Sequence, residues 1–247
     1  MATFVLVHGS FTGGWYWSRV RPLLQAAGHE VWTPTLTGAG DRSHLLSRSV
    51  SLETHILDIV NVLRYEDLRD VVLVGHSYGG MVITGAADRE PKRVSRLIYL
   101  DATVPKNGQN ATGGLTEGTG DKLDAMASGG ADDASWLLPP LPLSANGVTD
   151  PADIAWIGDR RTPHPLPTLN EPIRLKNGEP TWLPRIYIRC SRREGFFQVF
   201  GSDPLQPMFE YAVASGFKIL TLDAGHDPMV TIPHQVAEAL TASLAAT

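Results

Sequence analysis

Val71-Val72-Leu73-Val74-Gly75-His76-Ser77-Tyr78-Gly79-Gly80 decides the fold of this chain. Four apolar, mostly β-branched residues read as a buried strand, and Tyr78 to about Asp88 reads as a helix. Between them Gly75-His76-Ser77-Tyr78-Gly79 has the form G-x-S-x-G, whose chemistry depends on that strand-before, helix-after context. The turn has to be sharp, so a bulky side chain at 75 or 79 would collide with the neighbouring strand or helix. Such a turn lifts the Ser77 hydroxyl above the sheet edge. The N-terminus of the following helix then favours negative charge developing beside it.

The same alternation extends outward. Phe4–Val7 reads as a first strand ending at His8-Gly9, and Trp15 to about Ala27 as a helix stopped by Gly28. Glu30–Trp32 is a second strand. Ser51 is suited to cap a helix whose apolar face is Leu52, Ile56, Ile59, Val60 and Leu63. Arg96–Leu100, Arg185–Arg189 and Phe217–Leu222 are further strands, with helices at Pro204–Ser215 and Ile232–Leu244. Strand and helix alternating in this way predict an α/β protein, a mostly parallel sheet with helices on both faces.

The pattern breaks between about 105 and 184. This stretch holds eleven of the 18 prolines, three of the 6 tryptophans and a glycine-rich part from Gly108 to Gly130. Trp136-Leu137-Leu138 and Ile154-Ala155-Trp156-Ile157 are too apolar for a disordered linker. The expected organisation is a core of 1–104 and 185–247 with 105–184 inserted as a cap, partly mobile around 108–130.

Bulk properties narrow the classes. The 247 residues suffice for one such domain, and 43 % hydrophobic with 19 % charged residues is ordinary for a globular protein. A net charge of −5 with no basic stripe argues against nucleic acid. One cysteine, Cys190, rules out an intrachain disulfide. The N-terminal apolar run lacks a basic flank and is too short for a signal peptide or a membrane span. A cytoplasmic location is expected, and a homodimer is left open. No histidine pairs with Cys or carboxylates at metal-ligand spacing, so neither metal nor cofactor is expected.

Serine is a poor nucleophile unless a base stands within hydrogen-bond reach. His226, in Asp223-Ala224-Gly225-His226-Asp227, follows the last strand. In a parallel sheet that loop lies at the same carboxyl edge as the Ser77 turn. His8 and His76 are expected to support loops. His29, His44, His55, His164 and His234 are expected on the surface or in packing. An oxyanion would require preorganised backbone donors, here expected from the amides of Tyr78 and Ser10.

His8-Gly9, Gly13-Gly14-Trp15, Thr37-Gly38-Ala39-Gly40-Asp41, Gly75–Gly80 and Gly225-His226-Asp227 together resemble the α/β-hydrolase fold. Within it, the chain is most similar to the group of plant methyl esterases, hydroxynitrile lyases and bacterial pyrethroid-type carboxylesterases. The resemblance covers the core and hardly constrains the cap. It implies a carboxylesterase with Ser77 and His226 as catalytic residues. In that group the acid commonly follows the strand matching Arg185–Arg189, but the loop here reads Cys190-Ser191-Arg192-Arg193-Glu194. Asp101, at the end of the preceding strand, is favoured because a strand end is more rigid than a loop. Certain haloalkane dehalogenases place their acid at that strand end. Glu194 is the second choice.

The resembling lyases use a threonine after the first-loop histidine and a lysine after the catalytic one, where this chain has Gly9 and Asp227. Carbon–carbon bond hydrolysis uses the same machinery, and a non-catalytic ligand receptor is the alternative outside enzymes. The expected substrate is a small to medium hydrophobic ester in a pocket lined by Gly9, Phe11, Trp136, Trp156 and Phe196.

Overall fold

A computed structural model of the chain describes residues 1–128 and 134–245. Its main sheet is built from β1 (Thr3–Val7), β2 (Glu30–Trp32), β3 (Val71–His76) and β4 (Val94–Leu100). A short antiparallel pair, β5 (Leu137–Leu138) and β6 (His164–Pro165), stands apart, and the main sheet resumes with β7 (Arg185–Cys190) and β8 (Lys218–Leu222). The helices are α1 (Arg21–Ala26), α2 (Leu52–Tyr65), α3 (Gly79–Arg89), α4 (Thr119–Ser128) and α5 (Pro151–Ile157). They continue as α6 (Leu166–Asn170), α7 (Glu194–Phe200), α8 (Gln206–Ala214), α9 (Pro228–Thr231) and α10 (Pro233–Ala242).

The six strands run in the order β2-β1-β3-β4-β7-β8, every neighbouring pair parallel. Strand alternation splits the core into two. Val5, Val7, Val71, Leu73, Leu97, Tyr99 and Tyr187 pack on the face covered by α2, α3 and α8. Phe4, Leu6, Val72, Val74, Ile98, Leu100, Ile186 and Ile188 pack toward α1 and α10. Burial of both faces explains why these strands read as continuous apolar runs. The chain reverses direction across the sheet between β1 and β3, which opens a crevice at their carboxyl ends. Ser77 follows β3 at that crevice.

Several boundaries differ from expectation for local reasons. The helix expected over 15–27 is a 3₁₀ turn at Gly14–Trp17 followed by α1, which begins with Pro22 in its first turn. Proline has no N–H to donate, so it opens a helix more readily than it continues one. Ser51 caps α2 as expected. Its hydroxyl accepts from Thr54 N at 3.2 Å, and the Thr54 hydroxyl accepts from Ser51 N at 3.2 Å. Glu171 adds what sequence did not indicate, accepting from Leu52 N at 2.7 Å. Within 105–184 the structure contains α4, α5 and α6, and α4 occupies part of the stretch expected to be mobile. The last two residues of that stretch, 129 and 130, lie outside the described residues.

Candidate active site

Three residues other than glycine adopt left-handed backbone near the carboxyl ends of adjacent strands: Phe11 (φ 70°), Ser77 (φ 53°) and Asp101 (φ 44°). Strain of this kind persists only where the surroundings impose it. At Ser77 they do so through its carbonyl, which accepts from Gly80 N and Thr103 N, each at 3.1 Å. The flanking glycines are obligatory. A Cβ on Gly75 would stand 2.6 Å from the Gly79 carbonyl oxygen, and one on Gly79 would stand 2.8 Å from that of His8. A Cβ on Gly9 would stand 2.7 Å from the Ser77 Cβ. Gly9→Ala is therefore expected to displace Ser77 and lower kcat by about 10²-fold, with a smaller change in KM. Steady-state kinetics on an activated ester check it.

His226 Nδ1 donates to Asp101 Oδ2 at 2.7 Å. The remaining ring nitrogen, Nε2, is the one available as a base. Ser77 and His226 line one cavity. His226 is further held by two rings, those of His76 and Phe196, with centroids 4.7 and 4.8 Å away. His76 Nε2–H donates to the His226 carbonyl at 2.8 Å.

Asp101 is completely buried. Burial alone would raise its pKa, but the Arg193 guanidinium and His226 hold it well below the usual carboxylate range. Arg193 Nη1 donates to Asp101 Oδ2 at 2.6 Å, and Cys190 N donates to Oδ1 at 3.3 Å. Glu194 is exposed at the start of α7. Asp223 pairs with Arg192 at the surface.

Among the described residues, no backbone hydrogen bond uses the amide of Ser10 or of Tyr78. Both residues line the cavity. Tyr78 is fixed from behind by His55: the His55 Nε2–H donates to the Thr37 carbonyl at 2.9 Å, which leaves Nδ1 to accept from the Tyr78 hydroxyl at 3.0 Å. His8 holds the first loop in the same manner, accepting from Leu36 N at 3.0 Å and donating to the Gly9 carbonyl at 2.8 Å.

The cavity is mostly apolar. Phe11 and Phe196 line it with Leu115, Leu123, Leu138, Leu141, Leu169, Phe200 and Leu205, so the 105–184 segment supplies much of the wall. Gly9 lies under Ser77 rather than on the wall. Trp136 and Trp156, also expected there, stand elsewhere. Trp156 packs on Trp15 and Tyr16, with the Arg19 and Arg160 guanidiniums over its ring at 4.3 and 4.7 Å. Its large ring is more useful fastening α5 to the 3₁₀ turn after β1. Trp136 stacks with Arg48 at 5.2 Å.

Sequence reasoning did not single out Asn146, Tyr16 or Asp227 as a group. They form a polar corner of the cavity, with Asp227 Oδ2 accepting from Tyr16 at 2.6 Å and from Asn146 at 2.8 Å. The only sequence signal was a carboxylate directly after His226.

Four buried histidines surround the site. Burial pushes His8 and His76 down to about 4 and also lowers His55 and His164. Their folded pKa values lie below the unfolded value, so the unfolded chain binds more protons between about pH 6.5 and 4. Their neutral-state stability is therefore complete above about 6.5 and is lost as pH falls toward 4. His8 and His76 each contribute on the order of 1–3 kcal/mol. Asp101, with its pKa lowered, loses its contribution only below the usual carboxylate range. Urea unfolding is expected to show stability falling by several kcal/mol from pH 7 to pH 4.5, and a flat profile would contradict it.

The chain belongs to the alpha/beta hydrolase family, whose sequence profile matches residues 4–239. Among its relatives, a carbendazim hydrolyzing esterase of Nocardioides sp. is 39 % identical over 252 residues, covering 98 % of this chain and 99 % of that protein. Salicylic acid-binding protein 2 of Nicotiana tabacum is 34 % identical over 110 residues, 44 % of this chain and 42 % of that one. In structure, an extracellular α/β-hydrolase from a Paenibacillus species superimposes with a TM-score of 0.82 at 24 % identity, covering 98 % of each chain. The protein is an esterase-type α/β-hydrolase of the carboxylesterase kind. Among the described residues, no helix is long and apolar enough to cross a membrane.

Proposed function

We propose that this esterase is a serine hydrolase that cleaves small to medium hydrophobic carboxylic esters through an acyl-enzyme on Ser77. The observation that carries the reading is the 2.7 Å His226–Asp101 hydrogen bond, which leaves Nε2 as the base in a cavity that Ser77 also lines. Ser77 Oγ attacks the ester carbonyl and His226 Nε2 takes its proton. Asp101 keeps the other nitrogen protonated and stabilises the imidazolium. The Ser10 and Tyr78 amides bind the oxyanion. Collapse of the tetrahedral intermediate expels the alcohol, which receives the proton from His226. Water then repeats the sequence and releases the acid. Residues 105–184 act as a cap over the core of 1–104 and 185–247, and their leucines favour an apolar acyl or alcohol group.

A cyanide-releasing lyase is not favoured. Asp227, held by Tyr16 and Asn146 beside His226, would repel the departing anion. The reading keeps the chain in the cytoplasm, as monomer or homodimer, which cell fractionation and light scattering test.

A panel of p-nitrophenyl esters of increasing acyl length tests the function, with carbendazim added because a relative hydrolyses it. Turnover that peaks at short or medium acyl chains and leaves an acyl mass on the Ser77 peptide supports the reading. Turnover of mandelonitrile without ester hydrolysis would replace it with the lyase.

A further inference from the structure

Arg193 comes from the loop after β7 and reaches across to the end of β4. Its Nη1 sits 2.6 Å from Asp101 Oδ2, the same oxygen that receives the His226 N–H at 2.7 Å. Its Nη2 donates to Asp203 Oδ1 at 2.6 Å. Asp203 is bonded in turn by Arg189, whose guanidinium also donates to Gln206 at 3.0 Å. Both arginines and both aspartates are buried. Phe196 supports the arrangement, with the Arg193 guanidinium 4.7 Å above its ring and the His226 ring 4.8 Å to its side.

We propose that Arg193 is a positioning residue for His226: it anchors the carboxylate of Asp101 and offsets part of its charge, so the imidazole releases its proton at lower pH than beside an uncompensated aspartate. The inference rests on His226 being the base of the proposed reaction. Its physical basis is the charge count. A lone buried carboxylate strongly favours a protonated imidazole, whereas Asp101, Arg193, Asp203 and Arg189 together carry no net charge. The other groups around His226 do not replace this balance. His76 faces it from β3 and is neutral, with its pKa pushed down to about 4 by burial. The Asp227 carboxylate follows it in the chain and is held by Tyr16 and Asn146. Ser77 and Arg161 line the same cavity. Asp227 pushes the imidazole toward protonation, and Arg193 opposes that push from the side of Asp101.

The test is Arg193→Met, with Arg193→Lys and the double variant Arg193→Met/Asp203→Asn. The double variant removes one charge of each sign from the buried cluster and serves where the single one does not fold. In the Met variant the acid limb of kcat/KM is expected to move up by about one pH unit, with KM changed less than about twofold. The rate lost at neutral pH should return on raising the pH, which a merely misplaced side chain would not allow. Arg193→Lys keeps the charge and should move the limb less than half as far. In the double variant the limb should still rise, by about half a pH unit, because the lost Asp203 charge offsets the lost Arg193 charge but lies beyond it as seen from His226. NMR titration of the His226 ring in the resting protein should give the same shifts without turnover. That measurement stays decisive even if Ser77 proves not to be the nucleophile. Midpoints within about 0.2 unit of the parent in the Met and double variants, or a rate loss equal at every pH, would overturn the proposal.

Discussion

Ser77→Ala is expected to lower kcat on a p-nitrophenyl ester by about 10⁵- to 10⁶-fold, equivalent to about 7–8 kcal/mol of transition-state stabilisation. Alanine keeps the Cβ that packs above Gly9 and accepts the same φ of 53°, at a similar strain. The fold should therefore be nearly unchanged, with a difference in unfolding free energy under about 1 kcal/mol. What disappears is the hydroxyl proposed to bond the acyl carbon. Binding of substrate in the apolar cavity should persist, so KM or an inhibitor constant is expected to stay within a few-fold. A residual rate of about 10³-fold over water would still come from the amides and the cavity. Turnover surviving in Ser77→Ala at more than a few per cent of the parent would end the serine mechanism.

The second large effect is expected at Asp101. Asp101→Asn should lower kcat by about 10³- to 10⁴-fold. The neighbours dictate why. Arg193 Nη1 and His226 Nδ1 share Oδ2 while the Cys190 amide takes Oδ1, so one asparagine oxygen cannot serve all three donors. With the oxygen on the Oδ2 side a neutral amide leaves the imidazolium uncompensated, and with the oxygen on the Oδ1 side the NH₂ faces His226. A donor facing Nδ1 forces the proton onto Nε2, the nitrogen that has to be unprotonated to accept from Ser77. The same change removes a charge partner from the buried Arg193, leaving it paired with Asp203. A stability loss of about 3 kcal/mol is expected beside the kinetic one. Glu194→Gln, in an exposed side chain, should change kcat less than about twofold. Circular dichroism with urea titration separates the two effects of Asp101→Asn. A large rate loss in Glu194→Gln instead would reassign the acid.

Most of the sheet was legible in the sequence because burial of both faces writes continuous apolar runs. Val71–Val74, Phe4–Val7 and Arg96–Leu100 fall within observed strands, within a residue or two of the observed ends. α7 was not legible. Seven residues give too little periodicity, and its two buried residues, Phe196 and Phe200, read equally well as loop anchors. The 105–184 segment was legible only as a break in pattern. Its short helices are held by contacts to the core, such as Glu171 on the start of α2 and the seat of Trp156 on Trp15, rather than by their own propensity. Of the expected pocket wall, Phe11 and Phe196 line the cavity and the two tryptophans do not, for the same reason. Trp136 and Trp156 are large enough to line a cavity or to fasten a segment, and sequence carries no signal that separates the two uses.

The sequence by itself determined the fold class, the turn at Ser77 and the position of His226 in a loop at the same sheet edge. These follow from local rules: small residues where the backbone is crowded, apolar runs where strands are buried, and parallel order that brings successive carboxyl ends together. Only the tertiary structure decided which carboxylate meets the imidazole. Asp101 and His226 are 125 residues apart, and Arg193 reaches Asp101 across 92. Hydrogen bonds at such separations depend on strand order and on distances of a few ångströms, which no local pattern in a chain encodes. The buried charges Arg193, Asp203 and Arg189 likewise look like ordinary surface residues in sequence, and only their mutual pairing makes their burial affordable.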